Sequence, residues 1–150
     1  MLTPGDPAPT FTAPNQHGES VRIDVTDPTV VYFYPKDFTA GCTIEATDFQ
    51  SALPEFRKVG IDVYGVSMDS VESHAEFAAD EGIVFDLLAD PDGDIAAAFG
   101  LPTEAGYTDR RTFTLADNEV VSVYDPAMAD PSGHARAVLT ELRNTYIRGG

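Results

Sequence analysis

The order of apolar and polar residues predicts strands and helices that alternate along the chain. The apolar run at residues 30–34 has the length and composition of a buried central strand. A short hairpin is expected at residues 11–23, and further strands are expected at 61–67, 85–88, 111–115 and 120–124. This alternation is typical of an α/β domain in which helices flank a mixed sheet.

Apolar residues at helical spacing predict a first helix that begins at about Cys42. Its expected buried face comprises Ala46, Phe49, Leu53 and Phe56. Pro54 interrupts this pattern. Because proline lacks a backbone donor and clashes with the preceding turn, we expect a kink or a break between Gln50 and Pro54.

Capping signals predict three more helices. Asp69 and Glu72 fit a capping box that opens a helix ending before Gly82. Asp90 followed by Pro91 fits the N-cap and first position of a short helix. A final helix is expected from position 130 onwards, with the buried stripe Ala135, Val138, Leu139 and Leu142.

The composition is strongly acidic, with 25 Asp and Glu against 9 Lys and Arg and a net charge of −16. Such a surface repels phosphate backbones and anionic lipids, so neither nucleic acid nor a membrane surface is expected as a partner. The 150 residues contain no linker or repeat, and residues 1–150 are therefore expected to form one domain.

The acidity also predicts adaptation to high salt. Like charges repel one another over a Debye length of about 8 Å at ordinary ionic strength, which shortens to about 3 Å in about 1 M salt. We therefore interpret the chain as halophilic. The alternative is an acidic protein from a cell of ordinary salt content.

The chain is expected in the cytoplasm. Residues 1–7 lack both the basic and the apolar region of a signal peptide, and no apolar run approaches the length of a membrane span. Cys42 is the only cysteine, so the chain cannot form an intrachain disulfide and needs no oxidising compartment.

Cys42 is a candidate nucleophile because of where it falls in the predicted structure. It follows the buried strand and Gly41, at the point where the chain turns into a helix. The N-terminus of a helix and nearby cations favour the reactive thiolate form of a cysteine. The alternative is a small buried apolar residue, which is the commoner fate of a lone cysteine.

The residues around Cys42 decide between these two readings. Pro35, Thr39 and Cys42 form the pattern Pro-x-x-x-Thr-x-x-Cys, and Glu45 follows three residues later. This string resembles the active-site loop of the peroxiredoxins, and in particular of the Q-type subgroup, also called bacterioferritin-comigratory proteins. Residues 2–11, 64–69 and 110–113 resemble further family motifs. The resemblance implies a thioredoxin-like three-layer α/β/α fold with a central mixed sheet and an N-terminal hairpin.

The resemblance also implies a thiol-dependent peroxidase. The Cys42 thiolate would attack hydrogen peroxide or an organic hydroperoxide and become a sulfenic acid. Thr39 would offer its hydroxyl to the incoming oxygen, although capping the local turn is its ordinary role. Pro35 would shape the loop and shield the thiolate from water.

A cation is expected beside the sulfur, and two neighbouring arginines are candidates. Arg110 fits the family motif, three residues before Phe113, and it lies on the opposite strand face from Arg111. We prefer Arg110, but Ala116 replaces the usual aspartate and leaves Arg111 open. Glu45 would orient the arginine, or would only interact favourably with the helix dipole.

The chain departs from many Q-type relatives at Thr47, where they carry a resolving cysteine. The sulfenic acid must therefore be reduced by an external thiol, which could be a small thiol, a thioredoxin-like or glutaredoxin-like protein, or Cys42 of a second molecule. The resemblance favours a monomer, with a dimer as the alternative.

Other functions remain open at this point. A peroxide sensor that passes oxidation to a partner, or a non-catalytic thioredoxin-fold chaperone or binding module, would have the same fold. The three histidines, at positions 17, 74 and 134, lack the spacing of metal ligands, and we expect His74 and His134 to face solvent. No metal or cofactor is expected, because the sequence also lacks a phosphate loop and a dinucleotide motif.

Overall fold

The computed structural model describes residues 1–24, 26–125 and 134–146. The elements are β1 (Phe11–Pro14), β2 (Ser20–Ile23), β3 (Thr29–Phe33), α1 (Ala40–Lys58), β4 (Asp62–Ser67), α2 (Val71–Glu81), β5 (Asp86–Ala89), α3 (Asp94–Ala98), β6 (Arg111–Ala116), β7 (Glu119–Tyr124) and α4 (His134–Tyr146). The predicted strands and hairpins are confirmed to within two residues at each end. The start predicted for the final helix, at positions 130–131, lies outside the described residues.

Five strands form a mixed sheet in the order β5-β4-β3-β6-β7. Strands β3, β4 and β5 run parallel, whereas β6 pairs antiparallel with both β3 and β7. Strands β1 and β2 form a separate antiparallel pair. Parallel neighbours need crossover connections, and α1 and α2 supply them.

Helices and a hairpin cover the two faces of this sheet. One apolar core joins alternate β3 residues, such as Val30 and Tyr32, to buried residues of α1, α2 and α4. The second core joins Val31 and Phe33 to α3 and to the β1–β2 hairpin. Strand β3 is therefore buried on both sides, and the three layers are those of the thioredoxin-like fold that the resemblance implied.

Helix α1 runs without a break through Pro54, so the break expected there is wrong. A proline inside a helix costs about 3 kcal/mol. Leu53 and Phe56 lie on either side of it and are both buried, and burial of one large apolar side chain contributes about 1.5–3 kcal/mol. The packing of this face offsets the missing backbone bond, and the predicted buried face of α1 is confirmed.

Two capping predictions are wrong in their details. The N-cap of α2 is Ser70, whose hydroxyl accepts a bond from Ser73 N, and the carboxylate of Asp69 is used elsewhere. Helix α3 begins four residues after Asp90, although the Asp90 carboxylate still accepts bonds from two backbone N–H groups at the start of that helix. A tertiary contact with Asp37 N thus takes the Asp69 carboxylate that local sequence had assigned to a cap, whereas the Asp90 carboxylate still caps α3 but from further away along the chain. Gly82 ends α2 with φ of 68°, as predicted.

Within the described part of the chain, none of the helices is both long enough and apolar enough to cross a membrane.

Candidate active site

Cys42 lies in the first turn of α1, which begins two residues earlier than predicted. Strand β3 ends at Phe33, and the segment 34–39 leads from the centre of the sheet to this turn. Thr43 N donates to the carbonyl of Thr39, the N-cap residue, with a distance of 2.9 Å. The Cys42 side chain is buried, with only 1% of the residue exposed. Its sulfur therefore meets a protein environment with unpaired helix donors nearby.

Sheet pairing brings Arg110 to the sulfur. Phe33 pairs with Arg111 in the antiparallel β3–β6 ladder, so the residue before β6 lies beside the end of β3. The Arg110 guanidinium divides its donors between two groups. Nη2 points at Cys42 Sγ from 3.6 Å, and Nη1 donates to Glu45 Oε1 over 2.8 Å. This fork places a permanent positive charge next to the thiol.

Arg111 points away from the site. Its Nη1 donates to Asp125 and to the backbone carbonyl of Arg110. Of the two candidate arginines, Arg110 is the one that the structure brings to Cys42.

Gly41 makes room for the Arg110 guanidinium. A Cβ atom at this position would lie 2.9 Å from Arg110 Nη2, which is closer than real Cβ contacts. A side chain at position 41 would therefore meet the end of the Arg110 side chain, which would have to shift from its place beside the sulfur.

Glu45 is an unusual member of the site because its side chain is fully buried, with 0% exposed. Oε1 is held by Arg110, whereas Oε2 has no hydrogen-bond partner among the described residues. Burial raises the pKa of Glu45 from 4.5 to about 7, even though the neighbouring Arg110 charge acts in the opposite direction. Burial wins because a carboxylate without full solvation is costly in a protein interior.

Thr39 and Pro35 lie on the segment that leads to Cys42. The Thr39 hydroxyl donates to the carbonyl of Lys36 over 2.9 Å and makes no N-cap bond. It is therefore held in place by the loop and keeps its lone pairs as acceptors. Pro35 is partly buried and follows directly on buried Tyr34.

A buried polar network under the loop was missed from the sequence. His74 Nδ1 lies 2.7 Å from Asp37 Oδ2, and His74 Nε2 lies 3.1 Å from the carbonyl of Leu88. Tyr34 and Ser73 donate to the same Asp37 carboxylate. His74 is 0% exposed, so the expectation that it faces solvent is wrong. The polar partners that allow its burial come from two distant segments, the loop at residues 34–37 and β5.

This network also meets the loop backbone, because Asp37 N donates to Asp69 Oδ2 and Ser67 Oγ donates to the same oxygen. Oxygen and nitrogen atoms of Asp37, Asp69 and His74 lie within 4.8 Å of one another, a spacing that a metal ion could use. However, backbone and hydroxyl donors already point at these carboxylates. The arrangement fits a hydrogen-bonded pin for the loop better than a cation site.

His134 is also more buried than expected. Its Nε2 lies 2.8 Å from Thr112 Oγ1, and its ring packs edge-on against Phe49. Burial lowers the pKa of His134, which favours the neutral ring. At Thr47, where the resemblance places the resolving cysteine of many Q-type relatives, the hydroxyl donates to the carbonyl of Thr43 one turn earlier.

Comparisons with known proteins agree on one family. The model of the AhpC/TSA family matches residues 4–124. Peroxiredoxin Bcp of Xanthomonas campestris is 42% identical over 122 residues, which cover 76% of this chain and 75% of that protein. Peroxiredoxin Bcp of Escherichia coli K12 is 36% identical over 154 residues, covering 95% of this chain and 96% of the relative.

Solved structures give the same result. Peroxidoxin BcpB of Mycobacterium tuberculosis superposes with a TM-score of 0.89 at 33% identity and covers 97% of this chain and 99% of its own. Peroxiredoxin Q of Xanthomonas campestris superposes with a TM-score of 0.80 at 36% identity over 90% of each chain. The chain therefore belongs to the AhpC/TSA family, as a thiol-dependent peroxidase of the Bcp and PrxQ group of peroxiredoxins whose only cysteine is Cys42.

Proposed function

We propose that Cys42 reduces peroxides in a cycle that uses one protein cysteine and an external thiol. The thiolate attacks one peroxide oxygen, the O–O bond breaks, and sulfur becomes a sulfenic acid while the leaving oxygen takes a proton to form water or an alcohol. Two molecules of external thiol then return the sulfur to its reduced state and become a disulfide. The fork of Arg110 between Cys42 and Glu45 is the observation that carries this proposal.

Ionisation of the thiol alone cannot explain a fast reaction. A free thiol with a pKa of about 8.5 is about 3% ionised at pH 7, so full ionisation gains only about 30-fold. Donors aimed at the developing charge contribute on the order of 10² to 10³ each, by analogy with oxyanion holes. We assign Arg110 Nη2 as a donor to the peroxide oxygens. The Thr39 hydroxyl would become the second donor only by releasing its bond to the Lys36 carbonyl.

A single-turnover experiment tests the function. Reduced protein is mixed with one equivalent of hydrogen peroxide in molar KCl, a sulfenic acid trap is added, and the intact mass is followed over time. We expect stoichiometric oxidation at Cys42, at a rate that exceeds the reaction of free cysteine by far more than the ionisation limit. A rate like that of free cysteine would contradict peroxidase function and favour a binding module. Fast oxidation with slow recycling by every thiol tested would favour a sensor.

Organic hydroperoxides are proposed as substrates together with hydrogen peroxide. Phe38, Ile44 and Tyr107 are exposed apolar side chains on the segments that carry Cys42 and Arg110. A related Xanthomonas campestris protein is described by its alkyl peroxide reduction activity. Apolar side chains close to a reactive group favour the binding of an alkyl group. A kcat/KM for cumene hydroperoxide far below that for hydrogen peroxide would contradict this extension.

The cellular setting completes the proposal. We place the enzyme in a salt-rich cytoplasm, because its net charge is −16 and its one cysteine needs no oxidising compartment. We propose a monomer, which the resemblance to the Q-type peroxiredoxins favours, with a dimer as the alternative. The reductant is a small thiol or a thioredoxin-like or glutaredoxin-like protein, and recycling assays with each distinguish them.

A further inference from the structure

The cation of Arg110 interacts with two buried acidic groups, the carboxyl group of Glu45 and the thiol of Cys42. Arg110 bonds to Glu45 through Nη1 and points Nη2 at Cys42. The side chain of Glu45 is 0% exposed, and Cys42 is 1% exposed. With both acids ionised, this buried site would hold two negative charges against one positive charge.

Burial makes that net charge expensive. Moving an unpaired charge away from water costs several kcal/mol even after the protein relaxes. Arg110 offsets one negative charge, so the site is neutral when exactly one of the two acids carries a proton. Glu45 Oε2 has no hydrogen-bond partner among the described residues and is free to hold that proton.

Among the described residues, no second cation acts on Glu45 beside Arg110. Asp48, one turn further along α1, adds negative charge and disfavours ionisation of Glu45. Tyr32 approaches from β3, and burial raises the pKa of its hydroxyl, so it stays neutral. His134 on α4 interacts with Asp48 and Arg110, and burial lowers its pKa, which favours the neutral ring.

We propose that Glu45 is the proton store of the site: it is protonated while Cys42 is a thiolate, and it is ionised once the sulfur is a neutral sulfenic acid. This inference rests on the proposed peroxidase function and adds a role for Glu45 beyond holding Arg110. The site, with Arg110, has no net charge before or after the reaction.

The proposed step is balanced in protons and electrons. The thiolate gives two electrons to the distal peroxide oxygen, an S–O bond forms, and the O–O bond breaks. The distal oxygen keeps its own proton in the sulfenic acid, and the leaving oxygen gains one proton to become water or an alcohol. Glu45 loses one proton, so the protein and its product together take up none from the medium. The raised pKa of Glu45, about 7, makes this transfer accessible at neutral pH.

Proton uptake during oxidation tests the proposal directly. Reduced protein is mixed with one equivalent of hydrogen peroxide in weak buffer with an indicator dye, at the lowest pH that retains the full ultraviolet absorbance of the thiolate. Intact mass gives the fraction of Cys42 oxidised. The Glu45→Gln variant keeps an oxygen that can accept from Arg110 but cannot store the proton, and Glu55→Gln is a control for the same change at a more exposed position of α1.

We expect uptake close to zero per oxidised Cys42 in the parent and in Glu55→Gln, and close to one in Glu45→Gln. Equal uptake in the parent and Glu45→Gln overturns the proposal, whether both values are zero or both are one. Absence of thiolate absorbance in the parent at neutral pH also overturns it, because the proton is then on sulfur. Failure of Cys42 to oxidise at all would instead refute the proposed function, so the two failures are distinguishable.

Discussion

Arg110 depends on residues that lie far from it in the sequence. Strand pairing delivers it to the end of β3, Glu45 holds one of its nitrogens, and Gly41 leaves space for the other. A guanidinium suits this task because its donors diverge in a fixed plane and it stays charged. A lysine would offer a single point of charge and could not bridge the acid and the sulfur in the same way.

Replacement of Arg110 by alanine should slow the oxidation of Cys42 by on the order of 10² to 10³, because the donor to the sulfur and the nearby charge are both lost. The measurement is the second-order rate of oxidation by hydrogen peroxide. Arg111→Ala is the matched control, since the Arg111 guanidinium contacts Asp125 and a carbonyl group. Equal losses in the two variants would refute the assignment of Arg110.

The ionisation of Glu45 should also appear in the stability of the protein. Its folded pKa of about 7 is raised above 4.5, so the folded state binds the proton more tightly and loses stability as pH rises from about 4.5 through about 7. Glu45→Gln has no such loss. The unfolding free energy of Glu45→Gln, taken relative to that of the parent, should therefore rise as the pH increases through this interval, by at most about 3 kcal/mol.

Urea unfolding at several pH values measures this difference, with Glu55→Gln as the control. If the difference in unfolding free energy between Glu45→Gln and the parent did not change with pH, this would contradict a buried carboxyl group that titrates near neutrality.

The sequence predicted the site residues that sit in short motifs and missed those that depend on distant contacts. Cys42 and Glu45 are one helical turn apart, so their proximity follows from spacing alone. The alternation of side chains between the two faces of a strand favoured Arg110 over Arg111, and the structure brings Arg110 to the sulfur. His74 has polar neighbours on its helix and gave no sign of burial, because its partners come from the active-site loop and β5.

At the level of elements, the helix α1 both carries the reactive cysteine and packs into the core. Its first turn carries Cys42, and its remaining length packs against the sheet and α4. The predicted interruption at Pro54 was wrong because local propensity says nothing about the packing that holds the helix on either side. Strand and helix types were predictable from periodicity, whereas caps were not, because Asp69 and Asp90 bond to partners outside the expected positions.

Gly41→Ala should separate activity from stability within this helix. Alanine is favoured over glycine in a helix by about 1 kcal/mol, so the thermal midpoint should be unchanged or higher. The new Cβ would meet Arg110 Nη2 at 2.9 Å and displace it, and the oxidation rate of Cys42 should fall by at least about tenfold. Calorimetry and peroxide kinetics measure the two quantities. An unchanged rate would mean that Arg110 can move aside without loss of its role.

The pin formed by Asp37 and His74 connects the active-site loop to α2. His74→Ala removes one of the three side chains that bond to the buried Asp37 carboxylate, and a hydrogen bond to a charged group contributes about 1.5–3 kcal/mol. Urea unfolding measures the loss, and His17→Ala at an exposed position is the control. A loss below about 1 kcal/mol would show that the pin contributes little to the fold.

At the scale of the whole molecule, charge is the dominant feature. A net charge of −16 on 150 residues repels itself strongly at low salt. The sequence established this property in full, since it depends on composition alone. The packing of the two cores, by contrast, required the structure to show which side of the sheet each helix covers.

The melting temperature should rise as KCl increases from about 0.1 M to about 1 M, because screening shortens the range of the repulsion. Calorimetry measures this trend. The effect should shrink near pH 4, where many carboxylates carry a proton. A melting temperature that is independent of salt at neutral pH would refute the interpretation of the chain as halophilic.

The burial of Cys42 limits the size of the molecules that can react with its sulfur. Because only 1% of the residue is exposed, we expect a small hydroperoxide or a small thiol to reach the sulfur more easily than a cysteine on the surface of another folded protein. We expect a protein reductant to react with Cys42 only after the first turn of α1 opens. Since the chain has no second cysteine to carry the oxidation outwards, that opening should limit how quickly a protein reductant ends each cycle.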